Sequence, residues 1–375
     1  QGRDRSECAI LYRSNAQSRV LEDSLLRAGV PYRVYGGHRF YERLEIKNAL
    51  SYLRLLNNPH DDIAFERVIN TPTRGIGAKS VENLRLFARE HGSSLWQSAG
   101  AMIDKNLLAA RAASNIANFL QLLADLTEGT IELPLHEQVD HIIEASGLLE
   151  FHRNEKGEKG QARVENLQEL VVATRAFAWD EDENGTPLQQ FLDTAALDAG
   201  DAQADEFEDA VQLMTLHSAK GLEFHTVFMA GVEENLFPHK MSAEEPGRLE
   251  EERRLCYVGI TRAKVKLYIS YAECRRLYGS DNFNPPSRFL REIPAECLQE
   301  VRLGSQVTRP VLFGAPDDIE PQQGISLGGR VYHQVFGEGT VLNVEGAGDN
   351  ARVQVNFDDE GSKWLVLQYA GLQAM

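Results

Sequence analysis

Residues 211–224 decide the fold class, and they read VQLMTLHSAKGLEF. An apolar run from Val211 to Met214 is followed at once by polar residues around Gly221. In α/β proteins, ligand sites lie where strands of the sheet end and turns begin. A glycine in such a turn lets the backbone approach a ligand closely. The stretch therefore predicts an α/β domain with a ligand-binding edge directly after this strand.

Two kinds of sequence pattern occur before and after this strand, one typical of α/β structure and one typical of helices. Residues 9–35 read as strand, helix, strand, and further strand signals follow at 226–230 and 266–270. Between about residues 38 and 200 the apolar spacing is almost entirely helical. Sequence neighbours tend to pack together, so the simplest arrangement is one α/β domain that a helical segment interrupts.

The C-terminal part of the chain has a third pattern. Residues 304–328 are rich in Pro, Gly, Ser and Gln without a clear period, which indicates a linker. Four short alternating stretches follow between residues 330 and 367, as is typical of a small β-barrel. The predicted domains are residues 1–36 and 206–303 for the two parts of the α/β domain, 37–205 for the helical insertion, 304–328 for the linker and 329–375 for the barrel.

The charge balance restricts the kinds of partner. Among 375 residues, 39 are Lys or Arg and 56 are Asp or Glu, which gives a net charge of −17. This argues against a protein that coats nucleic acid through its overall charge. A local basic site stays open, because residues 253–276 hold seven basic side chains and one acidic side chain. Residues 180–209 hold eleven acidic and no basic residues, which indicates a solvated acidic linker or helix face.

The sequence also predicts a compartment. No apolar run reaches about 18 residues, so no membrane span is expected, and residues 1–5 lack the apolar core of a secretory signal. The four cysteines are far apart and form no CxxC pair, which is typical of reduced thiols in the cytoplasm. The histidines and cysteines do not have the spacing of metal ligands, so no metal site is predicted.

A second polar cluster, residues 250–263, reads EEERRLCYVGITRA. It places Arg262 shortly after Gly259, on a predicted short helix or turn. Taken alone, an arginine in such a position is more often part of a structural ion pair than of a catalytic site. Its assignment therefore depends on what the rest of the chain resembles.

Three separated segments together resemble one family. Residues 215–224 and 250–263 resemble motifs V and VI of superfamily 1 DNA helicases of the UvrD, Rep and PcrA type. Residues 11–19, which read LYRSNAQSR, resemble the segment of this family that is called IVa, together with Gly36-Gly37 and Phe40-Tyr41. The segments keep the family's order. Within the family, the overall likeness is to the UvrD type, and the small C-terminal barrel favours UvrD or PcrA over Rep.

The resemblance implies a RecA-like parallel-sheet domain (2A) built from two chain segments, an inserted all-helical domain (2B) and a small C-terminal Tudor-like β-barrel. It also implies ATP as the nucleotide. Arg262 would be the catalytic arginine finger, because a guanidinium at the γ-phosphate neutralises charge on the transferred phosphoryl group. Glu223 would bind the ribose, and Gly221 and Lys220 would complete the nucleotide-binding edge.

The resemblance further implies contacts with single-stranded DNA. Arg13 and Asn15 would contact the strand, and His217 would lie on the edge that couples nucleotide to DNA. His239 and Tyr278 match positions that touch DNA, and Tyr278 could stack on a base of any identity. The alternatives stay open: a lone tyrosine is more often a packed aromatic residue, and a lone loop histidine is usually only solvated.

The helical insertion carries its own signal at residues 70–80, which read NTPTRGIGAKS. A Gly-Ile-Gly turn before a helix exposes backbone N–H groups, which suit a DNA phosphate. The stretch resembles the helix-hairpin-helix-like element of the family's 2B domain, which contacts duplex DNA. The alternative is a simple tight turn that caps a helix. The predicted DNA-binding residues here are Thr73, Gly75, Gly77 and Lys79.

No part of the sequence matches the phosphate-binding loop GxxxxGK followed by Ser or Thr. In the family that loop and the Mg²⁺-binding acidic pair precede the present Gln1. The chain is therefore expected to be the C-terminal half of an ATP-dependent 3′–5′ DNA helicase and translocase that acts in nucleotide excision and mismatch repair. Mg²⁺ would be held mainly by the N-terminal half, and this chain alone is predicted to hydrolyse no ATP.

Other functions stay open. The chain could be a DNA- or protein-docking module without catalysis, although such a module has no reason to carry both Glu223 and Arg262. It could also be a replication motor of the PcrA or Rep type. The expected partners are single-stranded DNA and a duplex junction. The resemblance of the barrel further implies protein partners, namely repair proteins and RNA polymerase.

Overall fold

A computed structural model gives the fold. It describes residues 4–181, 185–200, 208–245, 247–272, 275–277, 280–282, 284–299, 301, 329–345, 352–358, 361–366 and 370–374. The chain divides into two compact units, Gln1–Ser218 with Leu277–Gly279, and Ala219–Arg276 with Ser280–Met375. The domain boundaries that the sequence suggests stay predictions.

The first unit contains a parallel sheet that draws on both sides of the helical insertion. Its strands are β1 (Cys8–Tyr12), β2 (Tyr32–Val34) and β3 (Val211–Thr215), and they lie in the order β2-β3-β1. β3 pairs in parallel with both neighbours, with Leu213 opposite Ile10 on β1 and opposite Val34 on β2. Helix α1 (Ser18–Arg27) connects β1 to β2. The predicted α/β domain built from two chain segments is therefore confirmed.

The part of the chain between β2 and β3 is mainly helical. In the described residues they are α2 (Leu44–Asn57), α3 (Asp62–Val68), α4 (Ala78–His91), α5 (Leu95–Asp104), α6 (Ala110–Thr130), α7 (Leu135–Ala145), α8 (Leu148–Arg153), α9 (Glu158–Ala176) and α10 (Pro187–Gly200). Their apolar faces form one continuous core. Capping residues define some of the helix ends. The Asp61 carboxylate accepts a hydrogen bond from Ala64 N at the start of α3, and Gly92, with φ +62°, ends α4.

Part of the acidic stretch 180–209 is a helix, α10 (Pro187–Gly200). Within it, α10 buries Phe191, Leu192 and Ala195 in the helical core. On the same helix, Asp193 is exposed and Asp198 is half-buried. The linker interpretation is therefore wrong for residues 187–200, and the helix-face interpretation is correct there.

The second unit begins with a parallel strand pair and ends with an antiparallel sheet. β4 (Phe224–Ala230) and β5 (Ala263–Ser270) pair in parallel, and the chain between them contains α11 (Lys240–Glu244) and α12 (Arg248–Ile260). The short strands β6 (Arg275–Leu277) and β7 (Ser280–Asn282) follow.

The C-terminal sheet contains β8 (Arg330–His333), β9 (Gly337–Glu345), β10 (Arg352–Phe357), β11 (Gly361–Val366) and β12 (Gln373–Ala374). Their order is β11-β10-β9-β8-β12. Valines and Phe357 form its small buried core, which accounts for the alternating sequence pattern. The predicted small β-domain is confirmed, with the two-residue β12 as a fifth strand. Among helices of the described residues, none is long and apolar enough to cross a membrane.

Candidate functional site

The carboxyl ends of β1 and β3 bring two of the predicted DNA-binding segments together. Tyr12 is paired with Thr215 in the register of the two parallel strands. One residue further on, Leu216 N donates to Tyr12 O at 2.8 Å. Arg13 directly follows Tyr12, and His217 directly follows Leu216 with an exposed side chain. The two segments that the sequence predicts to contact DNA therefore start side by side on one edge of the sheet.

Hydrogen bonds fix the backbone after β1. The Gln17 Oε1 atom accepts from Arg13 N at 3.0 Å and from Ser14 N at 2.8 Å, and Ser14 caps the following turn through Ala16 N. This reciprocal capping box satisfies backbone donors at the start of the helical turn. It leaves the Asn15 side chain exposed and the Arg13 side chain half-buried.

Arg43, which the sequence analysis did not single out, holds Asn15 from the helical side. Its Nη1 atom donates to Asn15 O and to Asn166 Oδ1, both at 2.9 Å. The Arg43 side chain is buried, and burial lowers the pKa of its guanidinium. No sequence signal marks these contacts, because they join three segments that lie far apart in the chain.

The turn before β4 has open backbone at the predicted nucleotide edge. Gly221 has φ +88°, a conformation that favours glycine, and a Cβ there would meet no atom within 4 Å. Leu222 N donates to Ala219 O at 3.1 Å and closes the turn. Lys220 and Glu223 on either side of it are exposed. The turn therefore presents its backbone and two charged side chains to solvent.

Arg262 is bonded to both neighbours of Glu223 in the chain. Its Nη1 atom donates to Leu222 O at 2.7 Å, and its own carbonyl oxygen accepts from Phe224 N at 2.9 Å. Glu223 precedes β4 and Arg262 precedes β5, so both lie at the amino end of this parallel strand pair. His217 follows the carboxyl end of β3, where the rule for α/β sheets places ligands, whereas Glu223 and Arg262 lie at the opposite end of their strands.

The remaining contacts of Arg262 orient its guanidinium. Nε donates to Val258 O at 2.9 Å, and Nη2 donates to Thr261 Oγ1 at 3.0 Å. Together with the bond to Leu222 O, these use three of the five N–H groups that a guanidinium carries. The side chain is half-buried. A rigid, always charged donor group with two further N–H groups is suited to bind a phosphate.

The other predicted DNA contacts in the second unit are less well defined. His239 is half-buried at the start of α11, where its backbone N lies 3.3 Å from Glu252 Oε2. Tyr278 lies outside the described residues. Part of the basic segment 253–276 is neutralised, because Arg253 pairs with Glu292 at 2.8 Å and Arg275 pairs with Glu233 at 2.6 Å.

Two side chains hold the loop before α4 in shape. Asn70 Oδ1 accepts from Arg74 N at 2.8 Å and from Ile76 N at 3.2 Å. The Arg74 guanidinium donates to the Tyr52 hydroxyl at 2.7 Å and to Ser146 O at 3.0 Å. Neither holding residue is among the site residues predicted from the sequence. The Asn-Thr-Pro start of this segment is a turn signal that could have pointed to Asn70.

The loop presents the predicted residues to solvent. Thr73, Gly75, Gly77 and Lys79 are all exposed, while Ile76 between them is buried. Gly75 has φ +73°, and a Cβ there would lie 2.9 Å from Asn115 Nδ2, which donates to Gly75 O. Gly77 is the N-cap of α4. Ser80 N and Val81 N donate to Gly77 O at 2.9 and 3.3 Å, so the N–H groups of Ala78 and Lys79 at the start of this 14-residue helix are the ones available to an anion.

Comparison with known proteins identifies the family. A model of the UvrD-like helicase C-terminal domain matches residues 1–274. The chain belongs to the UvrD-like helicase C-terminal domain family. A model of the PcrA/UvrD tudor domain matches residues 327–373 of this UvrD-like chain, which covers the C-terminal sheet. The family that the three sequence segments indicated is therefore confirmed.

Individual relatives agree with this assignment. The UvrD-like chain is 56 % identical to DNA helicase II of Escherichia coli strain K12, over 99 % of this chain and 52 % of that protein. It is 53 % identical to DNA helicase II of Haemophilus influenzae, over 98 % and 51 %. It is 40 % identical to ATP-dependent DNA helicase PcrA of Bacillus subtilis, over 98 % and 52 %. The chain spans about half the length of these curated relatives. The roles of its individual site residues stay predictions.

Proposed function

We propose that this UvrD-like chain is the C-terminal part of an ATP-dependent 3′–5′ DNA helicase and translocase. The observation that carries the proposal is the attachment of Arg262 to both neighbours of Glu223. These two hydrogen bonds place the oriented Arg262 guanidinium and the exposed Glu223 carboxylate at the same end of the strand pair β4–β5. The names of the relatives, DNA helicase II and ATP-dependent DNA helicase PcrA, agree with a nucleotide-driven DNA enzyme.

In this proposal each residue of the nucleotide edge has a separate role. Arg262 binds the γ-phosphate and neutralises the negative charge that develops on it, which is the contribution expected of an arginine finger. The Glu223 carboxylate accepts hydrogen bonds from the ribose hydroxyl groups. Gly221 permits close approach of the backbone, and Lys220 adds a positive charge at the rim. Hydrolysis of ATP supplies the free energy for movement along DNA.

Mg²⁺ is usually bound by one or two carboxylates together with phosphate oxygens of the nucleotide. In the proposal Mg²⁺ is bound mainly by the part of the enzyme that this chain does not cover. We accordingly expect the chain alone to hydrolyse no ATP.

The DNA would contact two places on the chain. Arg13, Asn15 and His217 would bind the single strand along the carboxyl ends of β1 and β3, with His239 and Tyr278 as further contacts. Backbone contacts of this kind tolerate any base sequence. The loop of Thr73, Gly75, Gly77 and Lys79 would bind a phosphate of the duplex through the N-terminus of α4.

The cellular role proposed is nucleotide excision and mismatch repair in the cytoplasm, with a replication motor as the alternative. The C-terminal sheet would bind repair proteins or RNA polymerase. Two observations support a docking role for it: the match to a PcrA/UvrD tudor domain, and the exposure of Tyr332 and Trp364 on its strands. Exposed aromatic side chains are enriched in protein interfaces.

The nucleotide role can be tested in a chimera. This chain is fused to the part of the E. coli DNA helicase II relative that it does not cover, and ATP hydrolysis is measured with and without single-stranded DNA. We expect Arg262→Ala to lower the DNA-stimulated rate by about 10³-fold or more. Arg262→Lys should also fail, because a lysine cannot reproduce the guanidinium fork.

The matched control is Lys264→Ala, which removes an exposed positive charge two residues away on β5. It should keep the rate within a factor of about two, because its charge is screened by solvent. Retention of activity by Arg262→Ala in an otherwise active chimera would refute the arginine-finger role. ATP turnover by the isolated chain that is lost with Arg262→Ala would refute the expectation that it needs a second half.

A further inference from the structure

A groove of about 690 Å³ lies in the helical part of the first unit. It is lined by side chains of α2, α3 and α8, by the start of α9 and by the loops next to α3 and α8. Its volume lies within the range of about 300–1,000 Å³ that small-molecule sites occupy. Neither the nucleotide edge nor the predicted DNA-binding residues contribute to its lining.

Two buried polar side chains line the groove without full hydrogen bonding. Asn48 is only 4 % exposed, and its side-chain amide has no hydrogen-bond partner among the described residues. His152 is 1 % exposed, and its Nδ1 atom lies 2.9 Å from Glu155 Oε1, but its Nε2 atom has no partner. Buried polar groups are normally satisfied. The His152 Nε2 atom is one such exception, which indicates that a ligand in the groove supplies its missing partner, and the Asn48 amide beside it can bond the same ligand.

The walls of the groove are apolar and exposed. Leu44, Ile63 and Phe151 line it and have between 36 and 78 % of their surface accessible. Leu44 and Asn48 are four residues apart on α2, as Ile63 and Arg67 are on α3, so each pair shares a helix face. An apolar wall therefore stands beside a polar group on two neighbouring helices. This combination suits an apolar side chain carried on a peptide backbone.

The charges that line the groove are already paired, with one exception. Asp62 Oδ1 accepts from Leu95 N at 2.7 Å. Glu66 pairs with Arg85, and Glu155 accepts from Arg163 and contacts His152. The remaining charged residue of the lining is Arg67, which is exposed and has no charged or hydrogen-bonding partner for its side chain among the described residues. The charged group of the lining that is available to a ligand is therefore the positive Arg67 guanidinium.

We propose that this groove docks an extended segment of a partner protein that carries a bulky apolar side chain next to an acidic residue. The apolar side chain packs against Leu44, Ile63 and Phe151, and the acidic side chain pairs with Arg67. The Asn48 amide both donates to and accepts from the peptide backbone, which matches the alternation of groups along an extended chain. A nucleic acid is disfavoured, because three carboxylates and three apolar side chains line the groove.

The test uses the whole 375-residue chain with labelled isoleucine methyl groups, and the signal of Ile63 is followed by NMR. The probes are the capped tripeptides acetyl-Leu-Glu-Phe-amide and acetyl-Leu-Gln-Phe-amide, and a thymidine oligonucleotide. We expect saturable shifts of Ile63 with both peptides and about threefold tighter binding of the Glu peptide, as one exposed ion pair allows. Shifts with the oligonucleotide and not with the peptides would overturn the proposal in favour of a nucleic-acid surface.

Two variants and their matched controls make the test specific. Arg67→Gln should abolish the preference for the Glu peptide, whereas Arg89→Gln, which alters an exposed arginine on α4, should keep it. Because Ile63→Ser removes the reporter, its effect is read by calorimetry, where it should weaken both peptides by about fivefold or more. Leu86→Ser, at another exposed apolar position, should not. Equal effects of a variant and its control, or no saturable peptide binding, would refute the proposal.

Discussion

At the scale of single residues, Arg74 is one of the two side chains that hold the loop before α4. The Arg74 guanidinium donates to the carbonyl oxygens of Val68, Pro72 and Ser146 and to the Tyr52 hydroxyl. Arg74→Ala leaves these acceptors without their donor, so we expect the free energy of unfolding to fall by about 2 kcal/mol. Urea titration followed by circular dichroism measures the loss.

The matched control for this prediction is Arg89→Ala on the helix that follows the loop. Arg89 is exposed, and replacing it should change the unfolding free energy by less than about 0.5 kcal/mol. If the loop binds duplex DNA, Arg74→Ala should also weaken binding to a hairpin duplex, while Arg89→Ala should not. A loss of stability of the same size in both variants would contradict the holding role of Arg74.

The same cluster makes stability depend on alkaline pH. Burial raises the pKa of Tyr52 from 10.0 to about 12. The unfolded chain releases this proton near pH 10, whereas the folded chain keeps it until about pH 12. The stabilisation from neutral Tyr52 is therefore complete below pH 10 and declines as the pH rises from 10 to 12.

The measurement is urea unfolding at a series of pH values across this window. We expect Tyr52→Phe to be less stable than the parent at pH 8, because it loses the hydrogen bonds to Arg74 and Thr71. Its stability should then fall less steeply above pH 10. Tyr35→Phe, at an exposed tyrosine, should follow the slope of the parent. Equal slopes for Tyr52→Phe and the parent would show that Tyr52 titrates alike in both states.

At the scale of elements, helix α10 shows how an acidic stretch can belong to a core. Phe191 is 2 % exposed and packs edge-on against the rings of Tyr41 and Phe177. We expect Phe191→Ala to lower the free energy of unfolding by about 3 to 5 kcal/mol, because it leaves a cavity at the junction of α10 and the core. Thermal unfolding measures this change.

The control lies on the same helix. Leu197 is 70 % exposed, so Leu197→Ala should change stability by less than about 0.5 kcal/mol. If residues 187–200 were only a solvated linker, both substitutions would be silent. A helix docked through Phe191 and a solvated linker are thus distinguished by one pair of variants.

The elements also show which parts of the fold the sequence could predict. β3 and β4 were predicted because each is a short apolar run followed or preceded by turn residues. The prediction of a solvated linker is wrong for α10, because the high acidic content of residues 180–209 conceals the apolar spacing from Phe191 to Ala195. The bond from Arg262 to Leu222 could not be predicted at all. A backbone carbonyl is present at every residue, so such a contact leaves no mark on the sequence.

At the scale of the whole molecule, the sequence predicted the architecture, and the roles of the site residues stay predictions. The order of strand and helix patterns required an interrupted α/β domain, and β3 does lie between β1 and β2. The structure places the predicted site residues that it describes on this fold, and some residues that hold them come from other segments, as Arg43 does beside Asn15. Predicting those partners requires knowledge of which distant segments meet, which a single sequence does not contain.

Because the chain has a net charge of −17, we can predict how strongly its affinity for DNA depends on salt. If DNA binds only at the local edge of Arg13, Asn15 and His217, few phosphates are neutralised and the salt dependence should be shallow. Each phosphate contact to a single strand contributes about 0.7 to the slope of log affinity against log salt. Fluorescence anisotropy with a labelled thymidine oligonucleotide should therefore give a small slope, and Arg13→Ala should reduce it by about 0.7.

Arg89→Ala should leave the slope unchanged, because Arg89 lies on α4 and not on the segments that form this edge. A slope that responds equally to both substitutions would mean that binding follows overall charge, and absence of binding at low salt would remove the local DNA edge from the proposed function.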